Sequence, residues 1–139
     1  NFRMSNLTAA IGNNHISEMN NFLKQRKKIA KMYTENLSDK YEKILPKNGE
    51  SGWYKYIVYL PKEVNRKDFK DMCKSQGLGL PGGVYDKPIH LQPVFDGTYR
   101  NGDFPVAEEV CERHICLPIY PNLSDEEVNQ TIEILNKAI

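Results

Sequence analysis

Apolar residues at steps of three and four run through the first part of the chain. This spacing predicts a helix over residues 5–37, with Ser5 as its N-cap. The run Gly12, Asn13, Asn14 weakens the pattern, so a kink or two consecutive helices are open alternatives. A straight helix of this length would measure about 50 Å, which exceeds the width of one small domain. We therefore expect the helix to pack also on protein beyond this sequence.

Turn-forming residues divide the rest of the chain into shorter elements. Aromatic and β-branched residues predict strands at 53–60, 78–80 and 115–117. Helices are predicted from the cap Asn65 to about residue 76, from Pro105 to about residue 113, and after a capping box made by Ser124 and Glu127. Residues 81–102 lack periodicity, and so long a loop in a small domain is usually functional. This order predicts an α+β fold, a small sheet packed with helices.

Composition limits the class of protein and its partners. The 139 residues suffice for one domain, and the net charge of +1 gives no strong attraction to nucleic acid or to membranes. No apolar run approaches the ~20 residues of a membrane span. The three cysteines, Cys73, Cys111 and Cys116, are odd in number and lack CxxC spacing, so we expect buried free thiols in a reducing cytoplasm and no metal site.

Few residues stand out chemically when the chain is read without reference to any family. His90 lies in the long loop, where it is either a donor or base at a site or an ordinary surface histidine. His15 and His114 are interpreted as structural. A basic cluster on the first helix is interpreted as a solvated face rather than as a nucleic-acid site. Its members are Lys24, Arg26, Lys27, Lys28 and Lys31.

Three motifs change this picture when they are taken together. Residues 1–12 read NFRMSNLTAAIG, residues 85–93 read YDKPIHLQP, and residues 104–108 and 117–121 read FPVAE and LPIYP. In order and spacing they resemble the DegT-type family of nucleotide-sugar aminotransferases, which depend on pyridoxal phosphate (PLP). The resemblance covers nearly the whole chain and is far more specific than any one motif alone.

The resemblance implies a fold, and it implies which domain of the enzyme carries the catalytic groups. Residues 1–139 would form the small C-terminal domain of the aspartate-aminotransferase (type I PLP) fold, with residues 1–37, approximately, as the interdomain helix leading into it. The family's large domain carries the Schiff-base lysine and most of the PLP pocket, and nothing in this sequence matches it. We therefore expect no catalytic residue in this chain, no PLP bound to it alone, and no activity of the isolated chain.

The resemblance also assigns roles by position. Asn1 matches a residue that contacts the PLP phosphate of a neighbouring subunit, and Arg3 matches a residue near the same shared site, where a guanidinium would pair with a phosphate or carboxylate. Tyr85 and His90 match a loop that lines the entrance for the sugar nucleotide. The implied enzyme is a cytoplasmic homodimer that takes nitrogen from glutamate and delivers it to a nucleotide-linked keto-sugar, as in polysaccharide biosynthesis.

Two alternatives remain open at this point. A PLP-dependent sugar dehydratase of the same scaffold would differ at the lysine position, which this sequence does not contain. A non-catalytic dimerisation or regulatory module built from this domain is the other. Helix-entry chemistry is the competing interpretation of Asn1 and Arg3.

Overall fold

A computed structural model describes residues 3–80 and 85–139. The described part consists of four α-helices, two short 3₁₀ turns and a three-stranded sheet. The elements in chain order are α1 (Asn6–Asn36), β1 (Glu42–Lys43), β2 (Tyr56–Tyr59), α2 (Arg66–Ser75), the 3₁₀ turns Ile89–Leu91 and Pro93–Phe95, α3 (Pro105–Arg113), β3 (His114–Leu117) and α4 (Asp125–Lys137). The α+β prediction is confirmed.

The sheet is antiparallel, in the order β1-β2-β3. Strand β2 lies at the centre and pairs with β3 over four positions, from Tyr56 opposite Leu117 to Tyr59 opposite His114. The two-residue β1 pairs with the other edge of β2. Between β2 and β3 the chain passes through α2, the long loop and α3. The pairing of β2 with β3 therefore brings the start of α2 close to the end of α3.

Helix α1 is one continuous helix of 31 residues, so the alternative of two consecutive helices is wrong. Ser5 caps it as predicted, since its Oγ accepts a hydrogen bond of 3.2 Å from the backbone N–H of Thr8. The buried residues of the helix all lie in its C-terminal third: Ile29, Ala30 and Tyr33. The N-terminal part presents large apolar side chains to solvent, namely Leu7, Ile11, Ile16, Met19 and Leu23.

The core forms where the C-terminal third of α1, the sheet, α2 and α4 meet. Tyr33 is fully buried and its hydroxyl donates 2.8 Å to the carbonyl of Pro118. Tyr41 is also buried and donates 2.6 Å to the carbonyl of Leu135 in the last turn of α4. Burial raises the pKa of both phenols well above the ordinary range. These bonds fix α1 and α4 against the sheet at buried, water-poor positions.

The short helices begin where the sequence predicts. Asn65 caps α2, and α3 starts at Pro105. Ser124 and Glu127 form the reciprocal capping box of α4, with Ser124 N–H donating 2.8 Å to Glu127 Oε2 and Glu127 N–H donating 3.2 Å to Ser124 Oγ. The strand at residues 115–117 is confirmed as part of β3.

Two strand predictions need correction. The predicted strand 53–60 shortens to Tyr56–Tyr59, because Trp53 has a positive φ of 48° and cannot continue an extended ladder. The predicted strand at 78–80 is wrong. Leu78 N–H bonds the carbonyl of Cys73 at 2.9 Å across Gly77, whose φ of 88° reverses the chain at the end of α2. Leu78 therefore closes the helix instead of entering the sheet.

Candidate functional site

His90 is the most enclosed of the described candidate residues. It lies in the first 3₁₀ turn of the long loop and is only 5% exposed, so the interpretation as an ordinary surface histidine is wrong. Its Nε2 lies 2.8 Å from Oε1 of Glu108 in the first turn of α3. The ring of Phe104 packs against the imidazole, with centroids 4.7 Å apart. A loop histidine is thus fixed on two sides by the start of a helix.

Glu108 is at the centre of this cluster, a role that its place in the FPVAE motif does not predict. The backbone N–H of Gly102 donates 2.9 Å to each of its carboxylate oxygens, and the N–H of Phe104 donates 3.3 Å to Oε1. Desolvation raises the pKa of the Glu108 carboxyl, but the bonds from Gly102, His90 and Phe104 together outweigh it and hold that pKa below its usual value. Glu108 is therefore an ionised acceptor at neutral pH.

A ladder of aromatic rings extends from His90 along the loop. Phe104 meets Tyr99 edge-on at 5.6 Å, and Tyr99 meets Phe95 at 5.9 Å. Tyr99 and Phe104 are each a little over 40% exposed. The loop therefore has a small core of its own, with one open side.

The other candidate residues occupy different places. Tyr85 lies in the same loop segment but is 67% exposed, whereas His90 is buried. Arg3 is exposed and lies just before the cap of α1, at the end of the helix that is remote from the core. Asn1 lies outside the described residues. The structure thus places Tyr85 and His90 on one loop and Arg3 at the far end of α1.

An open cleft of about 670 Å³ adjoins the loop, between the start of α2 and α3. Arg66 crosses it, with its guanidinium 3.3 Å from Asp86 and 3.4 Å from the carbonyl of His114. Arg113 pairs with Glu109 at 2.5 Å. The Arg66–Asp86 pair joins the loop to α2, whereas the Arg113–Glu109 pair lies within α3.

The described residues supply only part of what PLP requires. A lysine that holds PLP must be brought into a water-poor pocket, yet no lysine in residues 3–80 or 85–139 is buried. Lys43 is withdrawn from solvent to 14% exposure, but its Nζ bonds the carbonyls of Thr34 and Leu37 at the end of α1. The guanidinium of Arg3 suits an anion such as a phosphate. The described residues therefore fit a contributor to such a site and do not form the site alone.

The remaining charged and reactive groups have structural surroundings. In the basic cluster of α1, Lys27 pairs with Glu50 at 2.9 Å and Lys28 with Asp125 at 2.5 Å, as the solvated-face interpretation predicts. His114 is buried in β3, and its Nδ1 lies 2.6 Å from the carbonyl of Val110. The thiols are buried, as predicted, and none of them is part of a disulfide: Cys73, Cys111 and Cys116.

The described part of the chain contains neither a candidate metal cluster nor a candidate membrane-spanning helix. No three His, Cys, Asp or Glu side chains there are grouped in a way that would hold a metal ion. No helix among the same residues is long and apolar enough to cross a membrane.

Known proteins resemble this chain along nearly its whole length. An uncharacterized protein of Methanocaldococcus jannaschii is 32% identical over 99% of this chain and 37% of its own length. The dTDP-4-dehydro-2,3,6-trideoxy-D-glucose 4-aminotransferase of Saccharopolyspora spinosa is 29% identical over 97% of this chain and 34% of its own length. The chain thus spans about a third of these relatives.

The solved structures agree with the sequence matches. The crystal structure of a DegT DnrJ EryC1 StrS aminotransferase from Brucella abortus superposes with a TM-score of 0.83 at 26% identity, over 97% of this chain and 36% of that one. The family model of the DegT/DnrJ/EryC1/StrS aminotransferases matches residues 1–136. The chain belongs to the DegT/DnrJ/EryC1/StrS aminotransferase family.

Proposed function

We propose that the protein containing this chain is a PLP-dependent aminotransferase that transfers an amino group from glutamate to a nucleotide-linked keto-sugar. The observation that carries the proposal is the family match over residues 1–136. The relative from Saccharopolyspora spinosa, named as an aminotransferase of a dTDP-linked sugar, supports the choice of substrate class. A relative from Bacillus subtilis is named as a putative pyridoxal phosphate-dependent aminotransferase, which supports the choice of cofactor.

In this proposal the chain is the C-terminal domain with its leading interdomain helix. When bound, PLP supplies an electron sink for the carbanion that forms as a proton leaves the amino donor. This chain's own contribution is binding and orientation. Asn1 donates its amide to the cofactor phosphate of a neighbouring subunit without adding charge, and Arg3 pairs with an anionic phosphate or carboxylate in the same shared site.

The long loop provides the entrance for the sugar nucleotide. Tyr85 is exposed, whereas His90 is held in place by Glu108 and Phe104. An imidazole and a phenol suit the binding of a sugar, because sugar hydroxyl groups both donate and accept hydrogen bonds. We assign both residues to substrate binding.

The first experiment measures the reaction itself. The full-length enzyme is incubated with PLP, glutamate and a panel of nucleotide keto-sugars, and 2-oxoglutarate is followed. We expect turnover with at least one keto-sugar and none with the isolated 139-residue chain, since its described residues hold no buried lysine. Absence of turnover by the full-length enzyme on every keto-sugar refutes the proposal, and turnover by the isolated chain refutes the assignment of the lysine to another domain.

The second experiment tests the homodimer and its shared site. One full-length variant lacks the Schiff-base lysine, and the other carries Asn1→Ala and Arg3→Ala. Co-expression with random mixing makes about half of the dimers hybrid. Each hybrid has one complete site only if Asn1 and Arg3 act across the interface, so activity should recover to roughly a quarter of wild type if the sites are independent. No recovery would place both residues in their own subunit's site.

The proposed location is the cytoplasm. Three buried cysteines outside any disulfide suit a reducing compartment: Cys73, Cys111 and Cys116. Fractionation of cells that express the tagged full-length enzyme tests this assignment, and recovery of the enzyme from a secreted or membrane fraction would refute it.

A further inference from the structure

We infer that Glu108 is a positioning residue. It holds His90 by Nε2, so that Nδ1 is the nitrogen that forms a hydrogen bond with a hydroxyl group of the nucleotide sugar. This inference rests on the proposed function and deepens it. One half-buried carboxylate would thus fix the hydrogen-bonding character of one buried histidine. Neither the motif nor the resemblance assigns Glu108 such a role.

The first step is the state of Glu108. Its carboxylate accepts from the backbone N–H groups of Gly102 and Phe104, and its Oε1 lies 2.8 Å from Nε2 of His90. An ionised carboxylate can only accept hydrogen bonds. The proton in the 2.8 Å contact therefore belongs to Nε2 of His90. Nδ1 is left for a ligand: it accepts from a hydroxyl group in the neutral imidazole and donates to one in the imidazolium.

The second step is the orientation of the ring. Phe104 packs on one face of the imidazole at 53° between the planes, and the side chain is only 5% exposed. Turning the ring over would separate Nε2 from Glu108 within this packed surrounding. The tautomer and the direction of Nδ1 are therefore set by the same two neighbours.

The third step is the unused nitrogen. Among the residues that the structure describes, no hydrogen bond to Nδ1 of His90 is formed, and the buried side-chain atoms that lack a partner there are Arg26 Nε and His114 Nε2. Nδ1 of His90 is therefore not wholly sealed from solvent, and a ligand can reach it. A sugar hydroxyl both donates and accepts hydrogen bonds, and the loop is the proposed sugar-nucleotide entrance. Ligand binding would thus complete the hydrogen bonds of the cluster.

A purely structural role for the pair predicts something different. In that case His90 only ties the loop to α3, and any side chain that donates to Glu108 serves equally well. Glutamine and asparagine separate the two roles. The amide of glutamine reaches the position of Nε2 and can donate to Glu108, but leaves nothing at Nδ1. The shorter asparagine amide lies near Nδ1 and does not reach Glu108.

The experiment compares variants of the full-length enzyme by Tm and by KM for the keto-sugar and for glutamate. We expect His90→Gln to keep Tm within about 2 °C of wild type while KM for the keto-sugar rises about tenfold, the equivalent of one lost hydrogen bond, and KM for glutamate stays unchanged. His90→Asn should lower Tm and raise KM for the keto-sugar less. The matched control is Glu112→Ala, at an exposed position one turn further along α3.

Glu108 is tested by removal and by conservative replacement. Glu108→Ala should raise KM for the keto-sugar by a similar factor, because His90 is then free to change tautomer. Glu108→Gln should restore KM to near wild type, since the amide oxygen still accepts from Nε2. An unchanged keto-sugar KM in His90→Gln, or in a folded Glu108→Ala, overturns the inference. Failure of the proposed function is seen in the wild-type enzyme, before any variant is compared. If that enzyme turns over no keto-sugar, both the proposed function and the inference are refuted.

Discussion

The same substitution at two helical leucines should have very different effects on the stability of the 139-residue chain. Leu135 in α4 is fully buried in the core, whereas Leu7 in α1 is 73% exposed. Replacing either with alanine removes the same atoms and hardly changes helix propensity. The difference between the two variants therefore isolates the effect of burial.

The expected magnitudes follow from that burial. Leu135→Ala loses the transfer free energy of its side chain and leaves a cavity, so the free energy of unfolding should fall by about 3 kcal/mol, within the usual 2–5 for this change. Leu7→Ala should change it by less than about 0.5 kcal/mol. For a chain of this size, the first loss corresponds to a fall in Tm of roughly 10 °C.

Urea unfolding followed by circular dichroism at 222 nm measures both effects. The slope m should remain at the wild-type value, so that the midpoints report stability alone. Equal losses in the two variants would refute the assignment of the core to the C-terminal third of α1, the sheet, α2 and α4. A loss of about 2 kcal/mol for Leu7→Ala in the full-length enzyme alone would show that the rest of the protein covers this face of α1.

Three further predictions concern the caps, the thiols and the carboxylates. Ser124→Ala should lower the free energy of unfolding by about 0.5–2 kcal/mol, because the capping box of α4 is lost. Glu127→Gln keeps both hydrogen bonds of the box and should lower the free energy of unfolding by less. Equal losses in urea titrations would argue against the box. An aromatic disulfide reagent should label fewer than one thiol per folded chain and three per chain in denaturant. The reason is that Cys73, Cys111 and Cys116 are buried, and burial raises the pKa of the first two thiols. Rapid labelling of the folded chain would contradict this prediction. Hydrogen bonds from Ser124 lower the pKa of Glu127, and those from Gly102, His90 and Phe104 hold the pKa of Glu108 below its usual value of about 4.5. Stability should therefore hold above that usual value and fall as the pH drops through the lowered ones. An acid titration of the Glu108→Gln variant should show a shallower fall, and an identical fall would contradict the assignment.

Local chemistry made the helices predictable. Ser5, Asn65, Pro105 and Ser124 each supply a helix start by their own side chain or ring, and the structure begins α1 to α4 next to them. Such signals need no knowledge of distant residues. Gly77 likewise marked the end of α2, because its positive φ is a local property.

Strands and the His90 cluster depended on partners that are remote in the chain. The two residues of β1 carry no period and are a strand only because β2 pairs with them. The apolar residues at 78 and 80 predict a strand, and nothing local in the sequence shows that Leu78 completes the cap of α2. Glu108 meets His90 across 18 positions, and no local pattern in the sequence predicts their contact.

Helix α1 is a lever with a short, well-fixed base. The backbone N–H of Asn122 donates 2.9 Å to Gln25, and Lys43 binds the carbonyls at the end of the helix, so the segment from residue 6 to residue 25 is an arm of roughly 28 Å. A tilt of about 5° at the base displaces the tip by about 2.5 Å, which is larger than the tolerance of a positioned binding group. Small repacking around Tyr33 is therefore amplified at Arg3, the residue that we propose binds an anion, although no core residue that the structure describes touches it.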